Sequence, residues 1–255
     1  NKNPKPLKGY IEFYDSAEDA ARQADEARAS GDRRPLLGLP FAAKDNISIK
    51  GKSCTCGSRI LQGYVAPYSA TVASRLMAAG AIPLGRTNMD EFAMGSSTEY
   101  SAYGPSRNPV NRDLTPGGSS GGSAAVVAGG QAPLALGTET GGSVRLPASY
   151  CGLYGLKPTY GTLSRSGVVA FGSSLDQVGI LSRSVDDIGL ALSVMAGKDP
   201  LDDTSADLDL SSLARLEGAD IRGLRVALPE EFMKAKGLDP EIAGIFETAC
   251  EWFRS

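Results

Sequence analysis

Glycine sets the tightest limit on what this chain can fold into. It carries 31 glycines in 255 residues, and they concentrate between positions 80 and 179. A residue without Cβ reaches backbone angles closed to others and lets neighbouring main chain come close. The stretch therefore predicts tight turns around a site built largely from backbone. Two of these turns carry serine: PGGSSGG at residues 116–122 and TGGSVR at residues 140–145, with Ser143 following Ser119 by 24 positions. Such turns suit either a phosphate cradle or attack on a carbonyl.

Around them, helical and short apolar segments alternate. Residues 12–30 are rich in Ala, Glu, Asp and Arg and lack Gly and Pro, predicting a surface helix that ends at Gly31. Residues 35–43, PLLGLPFAA, predict a buried strand that delivers Lys44, Asp45 and Asn46 at its end. A helix is expected over 70–79, stopped by Gly80, then a strand in AIPLG. Turn-rich loops that wall a cleft follow over 86–116. The small-residue run SAAVVAGG reads as a helix starting beside the first serine pair, and 132–136 as a strand. Residues 185–196 predict a helix capped by Ser182 or Ser184, 198–219 a polar surface excursion, 223–229 a strand and 240–253 a helix. This alternation predicts an α/β fold, a mixed β-sheet core sandwiched by helices.

Composition narrows the function. With 42% hydrophobic and 22% charged residues the chain reads as an ordinary soluble domain. Its net charge of −3, with both signs interspersed, argues against a nucleic-acid-coating surface of its own. Cys54, Cys56, Cys151 and Cys250 include no C-x2-C pair and read as free thiols in a reducing compartment. No apolar run reaches 18 residues, and the opening NKNPKPLKGY, which lacks an initiator methionine, has no apolar signal-peptide core. The expectation is a cytoplasmic or organellar protein, neither membrane-bound nor secreted.

The serine turns can then be weighed. No lysine follows the last glycine of PGGSSGG as a Walker A loop requires, and DLTP before it is not the central strand that opens a dinucleotide-binding loop. Residues 117–121 satisfy the G-x-S-x-G pattern of a nucleophile elbow, but that triad needs histidine, and the chain has none. A serine nucleophile here needs another base. Lys44 is the candidate, since it ends an apolar strand where desolvation would lower its pKa; a salt bridge to Asp45 or another acid is the competing reading. Ser143, behind two glycines that bare their N–H groups, is the candidate nucleophile. Ser119 is placed to relay a proton, and plain tight turns are the structural alternative.

At these residues the sequence resembles the amidase signature family. The match runs through GGSSGG at 117–122 and GTETGGSVRLPASYCGLYGLKPT at 137–159, and extends over about 35–205. The resemblance implies a Ser–cis-Ser–Lys triad of Ser143 as nucleophile, Ser119 as relay and Lys44 as base. It further implies an oxyanion hole from the backbone of Thr140, Gly141, Gly142 and Ser143, with Ser120 supporting the lysine. Arg145 would be a structural ion-pair residue, and Gly95 and Ser96, within the loop 94–97, would line the substrate pocket. Glu139 stands where the family usually has aspartate, a change expected to alter packing around the nucleophile loop. The chain would form part of one amidase signature domain, with its motif-bearing core at 35–205, 206–255 continuing it and the C-terminal part of the fold missing.

Segments 85–109 and 167–187 resemble the branch of the family that serves tRNA-dependent amidotransferases. That branch implies glutamine hydrolysis to supply ammonia for amidating a mischarged tRNA, in complex with subunits B and C. No metal or organic cofactor would serve the hydrolysis, while ATP and Mg would act at the partner subunit. The alternative is a stand-alone amidase acting on small amides, and the remote one a non-catalytic ligand-binding module.

Overall fold

The structure, a computed structural model, describes residues 5–214 and 222–254. Its strands are β1 (Tyr10–Phe13), β2 (Pro40–Lys44), β3 (Ile82–Thr87), β4 (Leu134–Glu139), β5 (Tyr154–Leu156) and β6 (Gln177–Ser182). Among the described residues these form one mixed sheet in the order β1-β3-β2-β4-β6-β5. β2 runs parallel to both β3 and β4, whereas β1, β5 and β6 are antiparallel to their neighbours.

Strand alternation divides the core between the two faces. Phe41, Ala43, Leu134, Leu136, Val178 and Ile180 point to one face, where α2 (Thr71–Ala78) and α5 (Val185–Met195) pack with Val72, Leu76, Ile188 and Leu192. Ala42 and Ala135 point to the other, against Val126 and Val127 of α3 (Gly121–Ala128). Leu181 meets Ala124 of α3 and Ala148 of α4 (Arg145–Tyr150). Burying a side chain the size of Phe41 or Leu134 contributes roughly 1.5–3 kcal/mol each. The helix-covered mixed sheet is the predicted architecture.

Several elements depart from expectation for identifiable reasons. Residues 12 and 13 belong to β1, not to the first helix, because Glu12 and Phe13 pair with Arg86 and Gly85 of β3; the helix α1 is Ala17–Ala29. Tertiary pairing overrides helix propensity there. β2 begins only at Pro40, since 35–38 are turns closed by Leu37 N–H to Arg34 O and Leu39 N–H to Leu36 O, and Leu36 and Gly38 N–H donate across to Ala79 O and Gly80 O. Part of the expected surface excursion turns inward. Asp199 is buried and accepts from Thr71 Oγ1 and Ser164 Oγ, both at 2.5 Å, while buried Asp202 accepts from Arg165 N at 2.8 Å; positions 215–219 of that excursion lie outside the described residues. Ser184 does cap α5, accepting from Asp187 N at 3.4 Å.

By contact the chain separates into two compact units, Asn1–Leu216 and Glu217–Ser255. In the second, α6 (Glu230–Met233) precedes α7 (Pro240–Arg254). The strand expected over 223–229 is absent: the segment pairs with no strand among the described residues, and Leu224, Val226 and Leu228 are exposed. No helix of the described residues is long and apolar enough to cross a membrane.

Candidate active site

Parallel pairing of β2 and β4, with Ala43 opposite Leu136, brings both strand ends to one edge of the sheet. That edge, the carboxyl end of parallel strands, is where open α/β folds bind ligands. Lys44 closes β2 there. It is fully buried, and its Nζ donates to Ser119 Oγ at 2.7 Å and to Thr138 O of β4 at 3.3 Å. Burial pushes the amine down to about 7, opposed by the charge of Asp90 and, more weakly, by Cys56, Asp176 and Glu139. Keeping Lys44 charged thus costs on the order of 5 kcal/mol more here than in water. The competing salt bridge is not formed: Asp45 accepts instead from Arg86 Nη1 at 2.9 Å, from Thr55 Oγ1 at 2.5 Å and from Gly57 N at 2.9 Å.

Ser119 and Ser120 reach the site because α3 is buried along nearly its whole length, which sets its first turn against the sheet edge. The Gly118–Ser119 peptide is cis. Ser120 Oγ donates to Thr138 O at 3.2 Å and accepts from Thr138 N at 3.3 Å. It meets Lys44 through that shared carbonyl, not directly. Ser120 N donates to Ser143 O at 3.1 Å, docking the second serine turn on the first.

The second turn is pinned at its two ends and bare in the middle. Glu139 is fully buried and accepts from Val144 N and Arg145 N, both at 2.9 Å, and from the Arg145 side chain, with Nε at 2.6 Å. Burial would raise this carboxyl, but the Arg145 guanidinium and the two N–H groups hold it below the usual range. Thr140 Oγ1 donates to Asp176, which also accepts from Phe171 N and Gly172 N. Between these anchors Gly142 has φ 127, a conformation strained for any side chain, and open space lies where Cβ atoms of Gly141 and Gly142 would stand. Among the described residues the N–H groups of Gly141, Gly142 and Ser143 donate to no protein acceptor, and the half-buried Ser143 has no hydrogen bond to its hydroxyl. Three N–H donors and one hydroxyl of a single turn are therefore left without a protein partner among the described residues.

Loop 94–97 is divided. Gly95 packs on the Asp90 carboxylate and Ser97 against Gly118, whereas Met94 and Ser96 are exposed. Asp90, Asp176 and the Thr138 carbonyl escape a reading of the sequence; only an acid flanked by glycine-rich loop hints at the first two. Cys54 and Cys56 are buried free thiols. The buried atoms without a hydrogen-bond partner among the described residues, Asn46 Oδ1 and Arg165 Nε, belong to residues lining one small cavity beside Thr138 and Asp176. No group of three or more His, Cys, Asp or Glu among the described residues is arranged to hold a metal ion.

Comparison with known proteins adds to this geometry. A family model described as Amidase matches residues 3–255. The chain is 63% identical over 257 residues to the A-type subunit of glutamyl-tRNA(Gln) amidotransferase from Treponema denticola, covering 98% of this chain and 53% of that protein. It is 58% identical over 276 residues to the protein of the same name from Treponema pallidum, covering 100% and 54%. The crystal structure of the corresponding amidotransferase subunit from Thermotoga maritima superposes with a TM-score of 0.67 at 42% identity, over 76% of this chain and 46% of the other. The native peptide amidase of Stenotrophomonas maltophilia gives 0.75 at 40% identity, over 79% and 42%. The chain spans about half the length of the curated relatives it matches.

Proposed function

The chain belongs to the amidase family, and on that premise we propose that it is the catalytic part of the glutamine-hydrolysing subunit of a glutamyl-tRNA(Gln) amidotransferase. The observation that carries the chemistry is Lys44: a fully buried amine held near neutrality and hydrogen-bonded to Ser119 Oγ. In this reading Ser143 Oγ attacks the side-chain carbonyl carbon of glutamine while its proton passes through Ser119 to Lys44. The oxyanion accepts from the N–H groups of residues 140–143, each such donor being worth roughly 10²–10³ in rate. Lys44 then returns its proton through Ser119 to the leaving nitrogen, ammonia departs, and water cleaves the γ-glutamyl ester by the same relay.

The names of the relatives support the substrate and the setting. Subunits B and C are the proposed partners, with charged tRNA engaged through the complex, as suits a net charge of −3. The hydrolysis asks for no cofactor, and ATP and Mg serve the amidation at the partner subunit. The proposed compartment is the cytoplasm or an organelle. The family match runs through both compact units, supporting their assignment to one amidase domain with its motif core at 35–205. Gly95 and Ser96 are proposed to border the acyl pocket, Gly95 through its contact with Asp90.

A second reading, a stand-alone amidase, is favoured by the likeness to the peptide amidase. The test is ammonia release from glutamine and from a simple aromatic amide. It uses the whole gene product with and without subunits B and C, beside a Ser143→Ala variant. Glutamine-selective release that rises with the partners and vanishes in the variant supports the amidotransferase reading. Equal or faster turnover of the simple amide moves the protein to the stand-alone amidases, and release unaffected by Ser143→Ala sinks both.

A further inference from the structure

We propose that Asp90 is the fixed counter-charge for the ammonium that forms on Lys44 during turnover, a role that rests on the reading of Lys44 as the base. Asp90 is fully buried and forms no ion pair among the described residues. Its carboxylate is held by main chain alone: Oδ2 accepts from Thr98 N at 2.9 Å and Oδ1 from Tyr100 N at 3.3 Å.

The surroundings are shaped to admit that carboxylate next to the relay serine. A Cβ on Gly118, the residue joined to Ser119 by the cis peptide, would collide with Asp90 Oδ2, and one on Gly95 would collide with its Cγ. Asp90 N also donates to Ser119 O at 3.4 Å. The loop bends round the carboxylate through left-handed turns at Phe92 (φ 50), Ala93 (φ 63) and Thr98 (φ 54), conformations that persist only where the surroundings enforce them.

Asp90, Cys56, Asp176 and Glu139, in falling order, are among the groups that act electrostatically on Lys44. Glu139 is paired with Arg145, and Asp176 takes the Thr140 hydroxyl besides two N–H groups, whereas Asp90 has main-chain partners only. Asp90 exerts the largest charge effect of the four. It takes no proton itself. When Lys44 accepts the proton of Ser143 through Ser119, a positive charge appears at a buried position, and Asp90 is the standing negative charge that meets it. Asp90 therefore acts through Lys44, as a positioning residue.

The test follows Lys44 itself in the whole gene product, by NMR titration of ¹³Cε-labelled lysine with the signal assigned through Lys44→Met. In Asp90→Asn the Lys44 midpoint should fall by roughly one pH unit. The acidic limb of ammonia release should move by the same amount, with kcat lowered and KM unchanged. Asp90→Ser gives the same reading with a smaller side chain should the asparagine variant fail to fold. Thr98→Val removes the hydroxyl that bridges Gly117 O and Gly121 N but keeps the charge, so the midpoint should stay where it is in the parent. A Lys44 midpoint unmoved by Asp90→Asn, or moved equally by Thr98→Val, overturns the proposal. A parent Lys44 that titrates like an exposed lysine overturns the base reading, and this role with it.

Discussion

Lys44 and Arg86 are buried cations on neighbouring parallel strands, with Ala43 opposite Arg86 and Lys44 opposite Thr87. They differ in their partners. Arg86 donates to Asp45 at 2.9 Å and to Glu12 at 2.7 Å. Burial alone would pull its pKa down, but those carboxylates carry it above the usual arginine range. Lys44 has only neutral oxygens within hydrogen-bond reach, and burial pulls it to about 7. One register step thus separates a charge locked into the structure from one free to come and go. Partner choice, more than depth, decides which cation does chemistry.

The largest expected effect breaks the comparison at Lys44. Lys44→Met should lower ammonia release by roughly 10⁴-fold, the upper range for losing a general base. It should also change stability with a definite sign. The native state disfavours the ammonium, so that cost is fully present below about pH 7 and fades as pH rises toward the unfolded value of 10.5. In urea unfolding, any gain of Lys44→Met over the parent should therefore be about 2–3 kcal/mol larger near pH 6 than near pH 9. A gain independent of pH would mean that Lys44 is not held neutral.

Arg86→Met breaks the other side. It leaves Asp45 buried and unpaired, and should cost about 3–5 kcal/mol of stability, read from the urea midpoint at constant slope. A loss near zero would show that Arg86 is as dispensable to the fold as an exposed ion pair. A smaller effect sharpens the contrast without mutation. Since the neutral amine is the active form, ammonia release should fall about tenfold per pH unit below about pH 7. A profile flat down to about pH 5 would argue against a lysine base.

How much of this the sequence carries depends on whether a feature is local. Lys44 is legible because an apolar run ends at it, and Ser119 and Ser143 because glycines frame them. The helices α2, α3, α5 and α7 are legible from composition and caps. What escapes is set by distant pairing. Glu12 and Phe13 read as helix until β3 claims them, and the alternating apolar residues of 223–229 read as strand although no strand pairs with them among the described residues. Asp199 and Asp202 look like surface residues until hydrogen bonds from Thr71, Ser164 and Arg165 turn them inward. Asp45 sits next to the base in sequence yet pairs with Arg86, a choice no local pattern encodes.

Glu139 offers the finest test, because it places a paired charge, like that of Arg86 and Asp45, inside the candidate site. Its carboxylate is fully buried, but the Arg145 side chain is 60% exposed, so solvent and salt weaken the pair. Glu139→Gln keeps an oxygen for Val144 N and Arg145 N while removing the charge. The expected cost is about 1–2 kcal/mol at neutral pH, smaller than that of Arg86→Met. The sign with pH is also fixed. The native carboxyl is held below its ordinary range, so its contribution is present above the unfolded value of 4.5 and is lost as pH falls through the native one. The parent's advantage over Glu139→Gln should therefore shrink in acid and in high salt. If it persists in both, the N–H bonds and not the charge hold the turn of residues 140–145, and the paired-cation argument stops at Arg86.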